Sequence, residues 1–472
     1  METLFPQLDA SGMIAGRKFR ETAMKVLIKQ TTAFVGASFV RRDNVDIAIE
    51  GGRITGIEPD INSAGSTVFD GRDFFVTPGF INSHFHPSQQ LNRGLAIGVS
   101  HSEQMDLLHA TDRIKDPDAK YVLSLIALLE GLKAGTTCFY SVGSEIESQV
   151  KAYTTLGLRA ACTMIPKDIE ACDKPAEIRA TTWSTQDRLN TAEELHLRHH
   201  GDMVRIHFGV CNVRYASDNL IQGMVKLAER YDVGFHMHVA EGDEYVKEAI
   251  KRTGHRPVEH LHHLGVLSNR VALAHATKLA AEEIDLLARS GASVVHCPRA
   301  NAYVAVGLCP VSALLNAGVN VALGSDAAVN NNSNEVRGEA LVAYNNLSHR
   351  HESVDIVDYR SLFQMLTING ARAMGLSHDI GTIDAGKKAD VVLWSKNDLP
   401  FIPGHNYLAD LIFTDSCRAH TVFVDGKKVL ENYASCLLDE GQLIARAREI
   451  SAGYYQSFER EIRQHLRCAG RE

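Results

Sequence analysis

The sequence predicts an α/β protein: a (β/α)8 or TIM barrel with a small composite β-sandwich built from both chain ends. Two observations indicate this fold. Short alternating runs, separated by glycine and aspartate turns, open and close the chain, which is typical of antiparallel strands. Between them, eight apolar segments alternate with amphipathic helical segments, the pattern of a parallel barrel.

The change of pattern along the chain predicts the domain boundaries. Residues 1–23 form a poorly patterned N-terminal extension, and Met24 begins the first regular strand. We expect residues 24–76 and 382–435 to form the composite β-sandwich domain, and residues 77–381 to form the barrel. Residues 436–472 are expected to be a helical tail.

The barrel strands are predicted in order along the chain. The first runs from Phe74 through Pro78 and Gly79 to His86 as a single strand. Helices between the strands, such as 116–135 and 280–291, begin with acidic residues and end at glycine, as helix caps and the helix dipole favour. The other seven strands start at Thr136, Leu158, Met203, Val233, Val271, Ala292 and Val319.

Composition narrows the functional classes. The net charge is −8 and no basic block occurs, so nucleic acid is not an expected partner. No apolar run approaches the roughly 18 residues that a membrane helix needs, and we expect no secretion signal. The nine cysteines are odd in number and include no CxxC pair, which favours free thiols in a reducing cytoplasm.

Side chains that bind metals follow four of the predicted strands. The C-terminal ends of barrel strands meet at one rim, where barrel enzymes carry their active sites. Residues two apart on a strand share a face, so His84 and His86 can chelate one ion. On strand five we favour His238 over His236, because His238 is nearer the rim, with Glu241 as a carboxylate above the metal. The other candidates at the rim are His275 after strand six and Asp326 after strand eight.

Five segments together resemble the amidohydrolase superfamily. Within it they are similar to the branch of guanine deaminase, S-adenosylhomocysteine deaminase and the bacterial s-triazine hydrolases. The resemblance extends from about Lys25 to about Leu430. The segments are VTPGFINSHFHPSQQLNRG, HMHVAE, ALAHATKL, VVHCPRANAYVAVGLCPVSALLNAGVNVALGSDAAVNNNSNE and LTINGARAMGLSHDIGTIDAGKKADVVLW.

The resemblance implies one divalent metal per subunit. Binuclear members of the superfamily bridge their metals with a carboxylated lysine on strand four, and MVRIHFGV offers no lysine there. Three nitrogens and one oxygen favour zinc, with iron, cobalt and manganese as alternatives. The implied metal ligands are His84, His86, His238 and Asp326, and the implied catalytic residues are Glu241, His275 and Asp326.

The implied activity is that of a metal-dependent hydrolase of carbon–nitrogen bonds. Metal-activated hydroxide would attack an electron-poor carbon of a small nitrogen heterocycle, in a deamination or a dechlorination. The alternative is an acyclic amide, phenylurea or thiocarbamate substrate, and a third reading is a barrel retained as a non-enzymatic scaffold. The resemblance also implies a homodimer or a higher homo-oligomer.

Four residues are candidates for substrate contacts. Gln89 can present a donor and an acceptor to a heterocycle edge, and a hydrogen bond within the rim loop is its alternative role. His296 and Asn301 match a rim motif of the family, and Arg214 can bind an anionic or carbonyl-bearing substrate or form a surface ion pair. The chain lacks the Pro-His-Ser that purine-type deaminases carry after strand four, and the segment LAIGVSHSEQMDLLHATDRI is unlike their acidic, tryptophan-containing lid. Both departures argue against a nucleoside or guanine substrate.

Overall fold

A computed structural model describes residues 25–170, 179–180 and 183–468. The predicted N-terminal extension, residues 1–23, lies outside these residues. Within the described part of the chain, no helix combines the length and the apolar character needed to span a membrane.

The strands and helices alternate through the middle of the chain, as the sequence predicts. The strands are β1 (Lys25–Val35), β2 (Val40–Glu50), β3 (Arg53–Glu58), β4 (Thr67–Asp70), β5 (Phe74–Pro78), β6 (Phe80–Phe85), β7 (Thr136–Gly143), β8 (Arg159–Met164), β9 (Ile169–Glu170), β10 (Arg179–Ala180), β11 (Val204–Gly209), β12 (Phe235–Val239), β13 (Val271–His275), β14 (Ser293–His296), β15 (Val321–Leu323), β16 (Val391–Ser395), β17 (Thr421–Val424), β18 (Lys427–Glu431) and β19 (Ala434–Ser435). The α-helices are α1 (His101–Ile114), α2 (Pro117–Lys133), α3 (Ile146–Leu156), α4 (Thr185–His199), α5 (Asp218–Arg230), α6 (Asp243–Thr253), α7 (Pro257–His263), α8 (Ala281–Ser290), α9 (Pro298–Tyr303), α10 (Val311–Asn316), α11 (Ala328–Asn331), α12 (Arg337–His351), α13 (Tyr359–Met365), α14 (Ile368–Ala373), α15 (Tyr407–Phe413) and α16 (Glu440–Cys468). Two short 3-10 helices span Pro87–Asn92 and Leu399–Phe401.

The barrel consists of eight parallel strands, in the order β6-β7-β8-β11-β12-β13-β14-β15. Its first and last strands meet just beyond the end of β15, where the Asp326 N–H donates to the His84 carbonyl oxygen at 2.9 Å. The (β/α)8 barrel expected from the alternating pattern is therefore confirmed. Closure also brings the ends of β6 and β15 together at the rim.

Both chain ends build one mixed nine-stranded sheet, which confirms the expected β-structure from both ends, while the domain boundaries stay a prediction. Along the sheet the order is β19-β18-β17-β16-β5-β1-β2-β3, and β4 pairs with β1. Strand β5 lies between the N-terminal and C-terminal halves, pairing in parallel with β1 and antiparallel with β16. Alternating buried side chains of β1, β2, β5 and β16 form the apolar core of this sheet.

The structure divides the predicted first strand at Pro78 and Gly79. Strand β5 belongs to the terminal sheet and β6 to the barrel, so the chain crosses from one sheet to the other at Gly79. A Cβ at Gly79 would lie 2.0 Å from Thr137 Oγ1, so only glycine fits this crossing. A proline and a glycine inside an apolar run are the signal for such a break.

Buried polar contacts fasten the terminal sheet to the barrel. Arg159 at the start of β8 donates from Nε and Nη2 to the two carboxylate oxygens of Asp390, at 2.7 and 3.1 Å. Trp394 of β16 donates from Nε1 to Thr77 Oγ1 at 2.9 Å. Because Thr77 is in β5, these contacts hold the segment that leads directly into β6.

Helix α1 forms a wall over the open end of the barrel. A capping box starts it: Glu103 N–H donates to Ser100 Oγ, and Ser100 N–H donates to the Glu103 carboxylate. Its Leu107 and Leu108 pack in an apolar cluster with residues that follow β15, and Tyr454 of α16 packs against the same cluster. The C-terminal helix therefore supports the wall from outside.

Candidate active site

Five predicted site residues come together at the rim of the barrel. His84 and Asp326 are fully or almost fully buried, and so is His275. Asp326 Oδ1 lies 3.5 Å from His84 Nε2 and 3.4 Å from His86 Nε2, and Asp326 Oδ2 lies 3.9 Å from His275 Nε2. Ligand atoms of His84, His238 and His275 form one group within 4.8 Å of each other, and those of His84, His86 and Asp326 form another.

Outer partners set the orientation of three of the imidazoles. His84 Nδ1 lies 2.7 Å from His236 Nε2, within hydrogen-bond distance. His238 Nδ1–H donates to the Cys211 carbonyl oxygen at 2.8 Å, and His275 Nδ1–H donates to Asn301 Oδ1 at 2.9 Å. A proton held at Nδ1 leaves the lone pair of Nε2 directed at the centre of the group, as in histidine metal ligands.

The protonation states fit a divalent cation. Burial lowers the pKa of His84 to about 4 and holds the pKa of His238 well below its usual range, so both rings are neutral near pH 7. Burial acts to raise the pKa of Asp326, but the close approach of the His84, His275 and His86 rings holds it well below its usual range. His84 Nε2 is buried and makes no hydrogen bond with the described residues. Neutral nitrogens and one carboxylate are a donor set that such an ion stabilises.

Two site residues have unusual backbone conformations. The φ angles of His275 and Asp326 are 73° and 60°, in the left-handed region that side chains other than glycine rarely adopt. Such conformations persist where surrounding contacts hold them, and they cluster at functional sites. Here the Ala276 N–H donates to the Val239 carbonyl oxygen at 3.0 Å, which anchors the chain beside His275.

Glu241 and His275 lie next to each other at the rim. Glu241 Oε1 lies 3.7 Å from His275 Nε2. Burial lowers the pKa of His275, but the charges of Glu241 and Asp326 and the Asn301 hydrogen bond outweigh it, and the net shift is upward. A proton on this imidazole is therefore stabilised by two carboxylates.

A cavity of about 210 Å³ lies above these residues. Its floor includes His86, His238, His275, Asp326 and Glu241. Its apolar wall, which suits the face of an aromatic ring, comprises Met105, Leu108, Val142 and Ile165. Further polar lining comes from Ser88, Gln89, His101, Gln104, Ser144, Lys167, Asn212, Tyr215, Tyr245 and Asn330.

Comparison with known proteins now identifies the family. The amidohydrolase family model matches residues 75–429, which is most of the chain. This chain belongs to the amidohydrolase family. It is a metal-dependent hydrolase acting on carbon–nitrogen bonds.

Two relatives named as deaminases are similar to this amidohydrolase over most of its length. A 5-methylthioadenosine/S-adenosylhomocysteine deaminase from Teredinibacter turnerae is 31% identical over 387 residues, covering 79% of this chain and 84% of the relative. A 5'-deoxyadenosine deaminase from Methanothermobacter thermautotrophicus is 30% identical over 424 residues, covering 88% and 96%.

Solved structures agree with the fold. A zinc-bound adenosine deaminase from Xanthomonas campestris has a TM-score of 0.83 and 26% identity, covering 93% of this chain and 99% of that one. A zinc-bound atrazine chlorohydrolase from Arthrobacter aurescens has a TM-score of 0.84 and 25% identity, covering 90% and 100%.

Of the four predicted substrate contacts, the structure brings one to the cavity. Gln89 lines it, and its Oε1 is buried without a hydrogen-bond partner among the described residues. Asn301 Oδ1 instead accepts a hydrogen bond from His275 Nδ1–H, and His296 is buried near His275. Arg214 does not line this cavity: its Nε is 2.6 Å from a Glu248 carboxylate oxygen, and its guanidinium packs against the Tyr215 and Tyr245 rings.

Most of the polar lining was not predicted from the sequence, and His101 and Tyr245 are two such residues. His101 comes from α1 and Tyr245 from α6, and neither lies in a motif that resembles the family. The His101 Nε2 and Tyr245 Oη atoms are 3.0 Å apart. The only available signal was a histidine next to a capping serine at the start of α1, a weak one on its own.

Proposed function

We propose that this amidohydrolase is a zinc-dependent aminohydrolase that releases ammonia from an amino-substituted aromatic heterocycle. One observation carries the proposal: Glu241 and the His275 imidazole, 3.7 Å apart, line the same cavity as the apolar side chains of Met105, Leu108, Val142 and Ile165. An aromatic ring packed on those side chains would share the cavity with the Glu241 carboxylate. The zinc-bound deaminase and chlorohydrolase with the same fold support the choice of metal.

The residues divide the chemical work. His84, His86, His238 and Asp326 would hold the ion, which supplies a water of lowered pKa and thus a nucleophile near neutral pH. Asp326 and His275 accept the proton that the attacking water loses. Glu241 holds a proton opposite the leaving nitrogen and delivers it as the carbon–nitrogen bond breaks, which makes ammonia the product.

The cavity favours a compact heterocycle over a nucleoside. Among the described lining residues, the carboxylates are Glu241 and Asp326, and both serve the reaction. No further lining carboxylate in the described chain is therefore available for the paired hydroxyls of a ribose. Gln89 Oε1 is an acceptor that suits an N–H or NH2 group on the heterocycle edge.

An ammonia-release screen with zinc-loaded protein tests this proposal. The panel compares aminopyrimidines, aminotriazines and adenine with 5'-methylthioadenosine and S-adenosylhomocysteine, and it includes anilides and N-aryl ureas. We expect ammonia from the free heterocycles. As a matched control, Glu241→Gln should retain its zinc by elemental analysis and lose turnover by about 100-fold or more.

Any other product of the screen would contradict a specific part of the proposal. Release of ammonia mainly from the nucleosides would contradict the compact substrate, and chloride from chlorotriazines would change the leaving group. An arylamine released only from anilides or ureas would favour the acyclic alternative. Full activity of Glu241→Gln would remove Glu241 from the mechanism.

The cellular setting is a separate part of the proposal. Seven cysteines are described as free thiols, six of them buried and Cys436 exposed. Free thiols are typical of a reducing compartment, so we propose a cytoplasmic location. The homodimer stays a prediction, which light scattering of the purified protein would check.

A further inference from the structure

Helix α1 places one imidazole against the proton-delivering carboxylate. His101 is the first residue of α1, and only 15% of its side chain is exposed. Its Nδ1 lies 3.7 Å from Glu241 Oε1, while its Nε2 is 3.0 Å from Tyr245 Oη. A single ring therefore connects α1, α6 and the loop that carries Glu241.

The hydrogen bond to Tyr245 determines whether the ring nitrogen that faces Glu241, Nδ1, carries a proton. Burial raises the pKa of Tyr245, so its phenol keeps its proton and can donate to His101 Nε2. A neutral imidazole that accepts at Nε2 carries its own proton at Nδ1. This Nδ1 atom is buried and has no hydrogen-bond partner among the described residues.

We propose that His101 is a positioning residue for Glu241. Its Nδ1–H orients the Glu241 carboxylate toward the leaving nitrogen of the substrate. The inference rests on the proposed function and adds a residue of α1 to it. The present separation of 3.7 Å exceeds a hydrogen bond by less than about 1 Å, and such contacts tighten when substrate fills an active site. Because His101 belongs to α1, the position of α1 then affects the orientation of Glu241.

Conservative substitutions at His101 distinguish positioning from packing. An asparagine amide can place its N–H near the position of Nδ1, whereas a glutamine amide reaches the position of Nε2. We expect His101→Ala and His101→Gln to lower kcat by about 10- to 100-fold with little change in KM, the range for loss of an outer partner. His101→Asn should retain most of kcat.

The kinetic result can overturn the proposal in two ways. A rise in KM at unchanged kcat would make His101 a substrate contact, and equal losses in His101→Asn and His101→Ala would make it a packing residue. His262→Asn, on the exposed surface of α7, is the matched control for the substitution itself. Zinc content should be the same in every variant.

A spectroscopic readout keeps this test independent of turnover. In long-range ¹H–¹⁵N spectra of zinc-loaded protein, with His101 assigned from its alanine variant, we expect the Nδ1–H tautomer. Its Nδ1 resonance should shift in Glu241→Gln. An Nε2–H tautomer, or no shift, would overturn the role of His101 even if every substrate in the screen failed. Failure of the screen with the expected tautomer would contradict the proposed function alone.

Discussion

The ring of His275 can carry its proton on either nitrogen, and the choice decides what the ring can do in the reaction. Asn301 Oδ1 accepts from Nδ1 at 2.9 Å, which leaves Nε2 as the atom that faces Glu241 and Asp326. Asn301 itself is 1% exposed. A side chain that matched a substrate-contacting motif in the sequence thus acts by orienting its neighbour.

Replacing Asn301 tests that role at the scale of one residue. Asn301→Leu removes the acceptor, so the Nε2–H tautomer becomes available, and kcat for ammonia release should fall about 10- to 100-fold. Zinc content by elemental analysis should hold, because the four proposed ligands are untouched. Asn301→Asp restores an acceptor and should recover part of kcat. An aspartate variant as impaired as the leucine variant would argue against the role.

Strand β6 depends on the crossing at Gly79 for its position. Strand β5 and strand β6 belong to different sheets, and the Gly79 N–H donates to the Asp390 carbonyl oxygen at 2.9 Å between them. Since Asp390 also accepts from Arg159, the crossing is held to both the barrel and the terminal sheet. Any shift here would be transmitted directly to the two histidines at the other end of β6.

A single methyl group at this crossing should be destabilising. Gly79→Ala places a Cβ within 2.6 Å of three side-chain atoms of Thr137, so we expect a loss of about 1 to 3 kcal/mol in the free energy of unfolding. The control is Gly453→Ala in α16, where no described atom outside the helix backbone lies within 4 Å of the added Cβ. There, the higher helix propensity of alanine contributes up to about 1 kcal/mol of stability. Urea unfolding midpoints measure both. Equal effects would contradict the steric explanation.

At the scale of the molecule, the barrel interior is lined by polar rings that extend down from the metal-binding rim. His207 Nδ1 lies 3.1 Å from the Tyr140 hydroxyl, the Tyr140 and His236 rings are 4.4 Å apart, and His236 is hydrogen-bonded to His84. Burial lowers the pKa of His207 to about 3 and that of His296 to about 3. At pH values between about 3 and 6.5, these imidazoles stay neutral in the folded protein, whereas they become protonated in the unfolded chain.

That difference predicts acid sensitivity with a defined sign. Between pH 6.5, the ordinary pKa of histidine, and about 3, the unfolded chain binds more protons, so stability falls as the pH falls. His207 alone contributes about 1.4 kcal/mol per pH unit in this window. The wild type should therefore lose more stability on acidification than His207→Gln, so the difference between their free energies of unfolding should shrink as the pH falls. Urea unfolding at a series of pH values measures this difference. If the two proteins lose stability in parallel, the assignment to His207 is wrong.

The sequence pattern predicted the site residues that lie at the ends of strands, but it did not predict those that helices contribute. His84, His86, His238, His275 and Asp326 lie together because parallel strands end at one rim, a property that the alternating pattern already contains. His101 and Tyr245 reach the cavity through the packing of α1 and α6, which depends on side-chain shapes far apart in the chain. Gln89 lay within a recognised motif, whereas the orientation of Arg214 depended on Glu248 and could not be read from spacing.

The terminal sheet also determines when the site can fold completely during synthesis of the chain. Strand β5, directly ahead of the histidine strand, needs β16 as its antiparallel partner, and β16 lies more than 300 residues later in the chain. The rim likewise needs Asp326 to close on His84. A nascent chain on the ribosome therefore exposes its first two histidines long before it can enclose them. We therefore expect metal binding to follow completion of the chain, and fragments lacking the C-terminal strands should contain no bound metal.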